Sequence, residues 1–124
     1  MRVVRVINQT RDTIIGSQVT IADTSLSRMF GLLGKRGLSA GEGLWIKPSS
    51  GVHTFGMMFS IDVIGLDQEL RVVRLWQRLA PFRVTAVSLK VRSVIEMAAG
   101  QINECQVIIG DLLKSTEPHE KKTW

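Results

Sequence analysis

The feature that most constrains the fold is a succession of short β-branched runs, each closed within a few residues by turn-forming residues. Arg2-Val3-Val4-Arg5-Val6-Ile7 is the first. Branched side chains are stiff at χ1 and suit a pleated surface better than a helix. Asn8 to Asp12 supplies turn residues, and Val19 and Ile21 then alternate with Gln18 and Thr20, the period of a half-buried strand. The two runs read as an antiparallel pair, with Gly16 marking a bulge or bend. From Leu44 onward the pattern repeats in Leu44-Trp45-Ile46, Val52-His53-Thr54-Phe55, Ser60 to Leu66 and Ser93 to Met97. Pro48-Ser49-Ser50-Gly51 forms a turn between two of them, and Asp67-Gln68-Glu69 a tight connection after a third.

One segment has a clear helical period. Leu26, Met29, Phe30 and Leu33 fall at i, i+3, i+4 and i+7, with Asp23, Thr24 or Ser25 as N-cap and Gly34 as the stop. This predicts a principal amphipathic helix over about 24–33. Ala98-Ala99-Gly100 opens a short helical turn over about 100–105, and Gly110-Asp111 leads to a final short element. The stretch 69–79 fits two readings. As a strand it places Arg74 and Arg78 on one face and Arg71 on the other; as a helix it gathers all three. Pro81 ends it either way. The expected class is α+β: a mainly antiparallel, barrel-like β-sheet with one principal helix and one short helical turn. A single domain covers 1–113, followed by a polar tail, 114–124.

Composition narrows the class of protein. With 124 residues, the chain is long enough for one core without a disulfide or metal staple. No apolar run approaches the roughly 18 residues of a membrane span. Arg5, Asn8 and Gln9 interrupt the N-terminal stretch before a signal-peptide core forms. The lone Cys105 excludes an internal disulfide and any zinc site built on several thiolates, and is expected to be a small, half-buried apolar residue. A reducing cytoplasm is the simplest compartment.

Sixteen Lys and Arg against eleven Asp and Glu give a net charge of +5, which favours weak attraction to anions. The basic residues are scattered, and only Arg71, Arg74 and Arg78 approach a stripe. With Trp45, Trp76 and Trp124 as stacking platforms, they are the candidates for nucleic-acid binding. No oligonucleotide-fold or RNA-recognition signature accompanies them. The glycine-rich segment 34–43 is not a phosphate loop, because a helix precedes it and a strand follows, the reverse of the required order. No serine lies in a Gly-x-Ser-x-Gly elbow.

His53, Thr54, Asp62 and Glu96 are polar residues in otherwise apolar strand segments. A carboxylate in such a place costs several kcal/mol unless it is paired or hydrogen-bonded. If 52–55 pairs with 60–66, His53 and Asp62 approach each other. The pair then orients an imidazole as a general base or supplies two metal ligands, with Glu96 as a third. The structural alternative is a hydrogen-bonded network that ties strands together and caps backbone groups near the Gly56–Met58 turn. Gly56-Met57-Met58-Phe59 either lines a pocket for an apolar or peptide ligand or fills the core.

The ordered segments together resemble the family catalogued as domain of unknown function 192, over roughly residues 17–113. The resemblance begins at Ala22-Asp23-Thr24 with Gly31-Leu32-Leu33-Gly34, then Gly41-Glu42-Gly43-Leu44. It is strongest at Val52-His53-Thr54-Phe55-Gly56-Met57 with Ile61-Asp62-Val63. It closes with Ile95-Glu96-Met97-Ala98-Ala99-Gly100 and Gly110-Asp111. It implies a compact, mainly β, α+β domain and carries no enzymatic activity with it. Relatives often have a basic residue where this chain has Met58, a proline where it has Ser60, and a cysteine near Ser49.

Three functions follow as expectations. The first is a small soluble binding or accessory module with a pocket bounded by His53, Thr54, Met57, Asp62 and Glu96. The second is a metal-assisted hydrolase using His53, Asp62 and Glu96. The third is nucleic-acid binding through Arg71, Arg74 and Arg78. The sequence indicates no cofactor and no complete metal-ligand set. A small molecule or protein partner is favoured over nucleic acid, and edge strands leave room for a homodimer.

Overall fold

The computed structural model describes residues 2–24, 37–51, 57–83, 85 and 88–117. Among them are seven strands: β1 Val3–Asn8, β2 Thr13–Ala22, β3 Glu42–Ile46, β4 Ile61–Leu66, β5 Val72–Leu79, β6 Ser93–Ala98 and β7 Leu113–Thr116. One helix, α1, spans Gln101–Cys105. The strands form one sheet in the order β5-β4-β6-β3-β2-β1-β7. Every named pair is antiparallel except β2 with β3, where Gln18 to Ala22 runs parallel to Glu42 to Ile46. A parallel pair cannot be joined by a hairpin and needs a long crossover. Residues 23–41 are that crossover, and the helix expected over 24–33 falls within it, outside the described residues beyond Thr24.

The two edge strands meet at one end. Leu113 N donates to Leu70 O at 2.9 Å, Val72 N to Asp111 O at 2.8 Å and Gly110 N to Val72 O at 2.8 Å. Arg71 and Leu112 form a bridge between them. The sheet therefore curls into a partial barrel, as the sequence led us to expect, but the described structure is overwhelmingly β. Its one helix is the expected short turn, entered through Gly100 at φ 91 and left through Gln106 at φ 57.

Curling divides the apolar side chains into two sets. Inside lie Val6, Ile21, Trp45, Ile64, Ile95 and Leu113, with Ile102 and Cys105 of α1 packed against them. On the outer face Ala22, Leu44, Met57, Ile61, Val63 and Val94 form a second cluster. All six residues of β4 are buried, because this strand has apolar cover on both faces. Gly65 is fixed by packing: a Cβ there would lie 3.0 Å from Arg74 Cβ and 3.1 Å from both the Trp76 ring and Val91.

The ambiguous stretch 69–79 is a strand from Val72, with register shifts against β4 between Ile61 and Val63 and between Gly65 and Leu66. These break simple alternation. Strand β3 starts at Glu42, before the apolar run. Strand β7 carries Lys114 to Thr116 into the sheet, opposite Ile7 to Arg5, so the first residues expected in the polar tail are paired. The expected strand 52–55 lies outside the described residues.

Candidate functional site

Strands β4 and β6 pair without interruption from Ile61 opposite Ala98 to Leu66 opposite Ser93. Side chains therefore alternate between the two faces. Asp62 stands opposite Met97, which belongs to the interior cluster. Glu96 stands opposite Val63 on one side and Leu44 on the other, both in the outer cluster. The two carboxylates expected in one site thus lie on opposite faces of the sheet. They cannot share a metal ion or a substrate, and the hydrolase constellation of His53, Asp62 and Glu96 is not assembled. The cause is the two-residue period of the strand: a residue beside Val63 in sequence faces away from Val63's cross-strand partner.

Asp62 is fully buried. Its Oδ1 accepts from Arg78 N at 2.9 Å, and its Oδ2 from Gly100 N at 3.1 Å and Ile102 N at 2.9 Å. It therefore ties β4 to the bulge of β5, where Arg78 has a left-handed φ of 51, and to the first turn of α1. This is the strand-tying network anticipated as the structural alternative. The backbone groups it caps belong to α1 and β5 rather than to the Gly56–Met58 turn. Both oxygens accept from backbone N–H groups, which gives Asp62 a structural role.

Glu96 is the opposite case. It is 4% exposed, and burial pushes its carboxyl from an ordinary 4.5 up to about 7. Among the described residues, none donates a hydrogen bond to it. Desolvation without compensation disfavours the charged form. Met57, 6% exposed, belongs to the same outer cluster, so the structure brings Met57 and Glu96 to one face. His53 and Thr54 lie outside the described residues. Among the described residues, no group of three His, Cys, Asp or Glu side chains is placed to hold a metal.

The basic candidates separate. Arg71 Nη1 donates to Gly110 O at 2.7 Å across the seam between the edge strands. Arg74 stands opposite Gly65 on the outer face. The Arg78 guanidinium lies beside Gly100, where a Cβ would sit 3.4 Å from its Nη2. All three arginines are exposed, with register shifts of β5 against β4 lying between them. Trp45 is an interior residue, 1% exposed, whose Nε1 donates to Ser93 Oγ at 3.0 Å. It cannot stack on a base. Trp76 is half-buried against the outer cluster, and Trp124 lies outside the described residues. Cys105 is buried, as expected of a packing residue, and burial raises its thiol pKa.

A second buried network had no strong sequence signal. Asp111 Oδ2 accepts from Asn8 Nδ2 at 2.8 Å, Arg11 Nε at 2.9 Å and Ile108 N at 3.0 Å. Burial works to raise the Asp111 pKa, but these donors and the Arg11 charge hold it below its ordinary value. Asn8 reads in the sequence as a turn residue. Its burial becomes visible only when β7 is laid against β1.

The comparisons fit this architecture. A protein of unknown function from Novosphingobium aromaticivorans superposes with a TM-score of 0.73 at 18% identity, covering 90% of this chain and 83% of that one. A Sinorhizobium meliloti protein superposes with a TM-score of 0.77 at 19% identity, covering 91% and 92%. At those identities the likeness is one of fold. In sequence, a UPF0127 protein of Pyrococcus horikoshii is 31% identical over 114 residues, 88% of this chain and 96% of the relative. The family model described as Uncharacterized ACR, domain of unknown function 192, matches residues 6–115. No helix among the described residues is long and apolar enough to cross a membrane. Neither the family nor this relative carries an activity that could be transferred, but the match spans nearly the whole domain: the chain belongs to the domain of unknown function 192 family.

Proposed function

We propose that the chain is a small binding or accessory module whose ligand site lies on the outer face of the sheet. Glu96 forms its floor, Met57 an apolar wall, and His53 and Thr54, just upstream of Met57, its remaining polar groups. Asp62 serves the site indirectly, by fixing the β4–β5 bulge and α1 from the other face. The supporting observation is Glu96 itself: a carboxyl at the centre of an apolar face, with no donor from any described residue. A group so placed destabilises the fold when ionised, which a binding role explains and a packing role does not. A carboxyl titrating near neutrality both donates and accepts hydrogen bonds, so a small neutral or cationic ligand suits it. The cytoplasm is the proposed compartment.

Native mass spectrometry of gently purified protein tests this. Extra mass on the folded ion, lost in Glu96→Gln and in His53→Ala, is the expected result. Ligand interactions that persist unchanged in both variants would overturn it.

A further inference from the structure

Cross-strand partners share a face of the sheet, so the register fixes what lies beside Glu96. Leu44 of β3 stands opposite it on one side and Val63 of β4 on the other, and Val63 in turn stands opposite Trp76 of β5. Leu44, Glu96, Val63 and Trp76 therefore form one row across four adjacent strands, and Glu96 is the ionisable group in it. At about 4.8 Å per strand, the Glu96 and Trp76 backbones are roughly 10 Å apart. The Trp76 indole leans over β4, where its Cζ3 would lie 3.1 Å from a Cβ at Gly65. The residue is half-buried and packs against the outer cluster that holds Leu44, Val63 and Met57. Arg74, on β5 opposite Gly65, is exposed, and among the described residues no cation forms an ion pair with Glu96. Burial is the one influence on its carboxyl.

We infer that the ligand of this site is an organic cation with a short apolar body, an amidine or primary amine on a hydrocarbon about one ring long. This rests on the reading of Glu96 as the floor of a ligand site and names the class of ligand. The head group supplies what Glu96 lacks, N–H donors and a counter-charge, and both act strongly under apolar cover. An amidinium presents two parallel N–H groups to the two carboxylate oxygens. The body lies along Val63 towards the Trp76 indole, whose negative π-face attracts a cation and disfavours an anion. A neutral polar ligand brings donors without a counter-charge, and its remaining polar groups meet hydrocarbon in this row. An anion meets a like charge.

Benzamidine, benzamide and benzoate share one ring and differ in the charge of the head group. Each is titrated at pH 8, above the Glu96 pKa of about 7, while the backbone amide shifts of Leu44, Val63 and Glu96 and the Trp76 indole N–H are followed. Benzamidine should shift these groups saturably and bind at least about tenfold more tightly than benzamide, the worth of a charge-assisted hydrogen bond. Benzoate should not bind. Glu96→Gln should remove the preference, lowering benzamidine to the affinity of benzamide. Trp76→Leu should weaken both by about threefold. The inference is overturned if benzamide or benzoate binds as tightly as benzamidine, if Glu96→Gln keeps the preference, if Trp76→Leu leaves binding unchanged, or if benzamidine gives no saturable shift at these groups. The Glu96 site itself stands or falls on the native mass spectrum. An added mass that Glu96→Gln removes, in a protein that does not bind benzamidine, refutes the ligand class alone.

Discussion

Replacing Glu96 by glutamine should make the protein more stable at pH 8 while changing little at pH 4.5. A carboxyl moved by burial from 4.5 to about 7 corresponds to a difference of roughly 3 kcal/mol between its two protonation states. The unfolded chain releases this proton near 4.5 and the folded chain keeps it until about 7, so across that window the native state binds more protons. Stability must then fall as pH rises, with the loss complete above the folded pKa. Glutamine is close to isosteric with the neutral acid and does not ionise, so it escapes the loss. The Asp111 contribution has the opposite sign and disappears below its ordinary 3.8, outside this window. Urea unfolding followed by tryptophan fluorescence from pH 4.5 to 8.5 measures the effect. The difference between Glu96→Gln and wild type should widen by roughly 3 kcal/mol towards the alkaline end. Parallel pH curves would show that Glu96 ionises without penalty in the folded chain. The reasoning that makes it the floor of a binding site would then collapse.

Three further outcomes follow from the same geometry. Asp62→Ala strands the Arg78, Gly100 and Ile102 N–H groups and should cost about 2–4 kcal/mol in urea unfolding; a loss below about 1 kcal/mol would mean that water replaces the carboxylate. Gly65→Ala forces a Cβ against Arg74, Trp76 and Val91 and should lower stability by about 1–3 kcal/mol, with an unchanged midpoint disproving the close packing. Asp111 stabilises the folded state above its unfolded pKa, and that contribution is lost as pH falls through its lowered folded value. Asp111→Asn should therefore be less stable at pH 7 and converge on wild type in acid, and a gap that persists in acid would locate its role in packing rather than charge.

Strand positions were legible because β-branched runs and turn residues act locally: β1, β3, β4 and β6 appear where their apolar stretches lie, and α1 where Gly100 permits it. The site was only half legible. A carboxylate amid apolar neighbours marks both Asp62 and Glu96, but the sequence holds no record of which faces inward. Cross-strand register decides that, and register depends on partners distant in sequence. The same dependence hid the Asn8–Asp111 pair.

Local chain chemistry thus determined that this protein is a β-rich domain with buried acids in its strands. Tertiary structure alone decided what those acids do. The parallel β2–β3 crossover and the closure of β5 on β7 place Asp62 among backbone donors and Glu96 among hydrocarbon. A carboxylate's behaviour follows from the groups that surround it, not from the residues beside it in the chain.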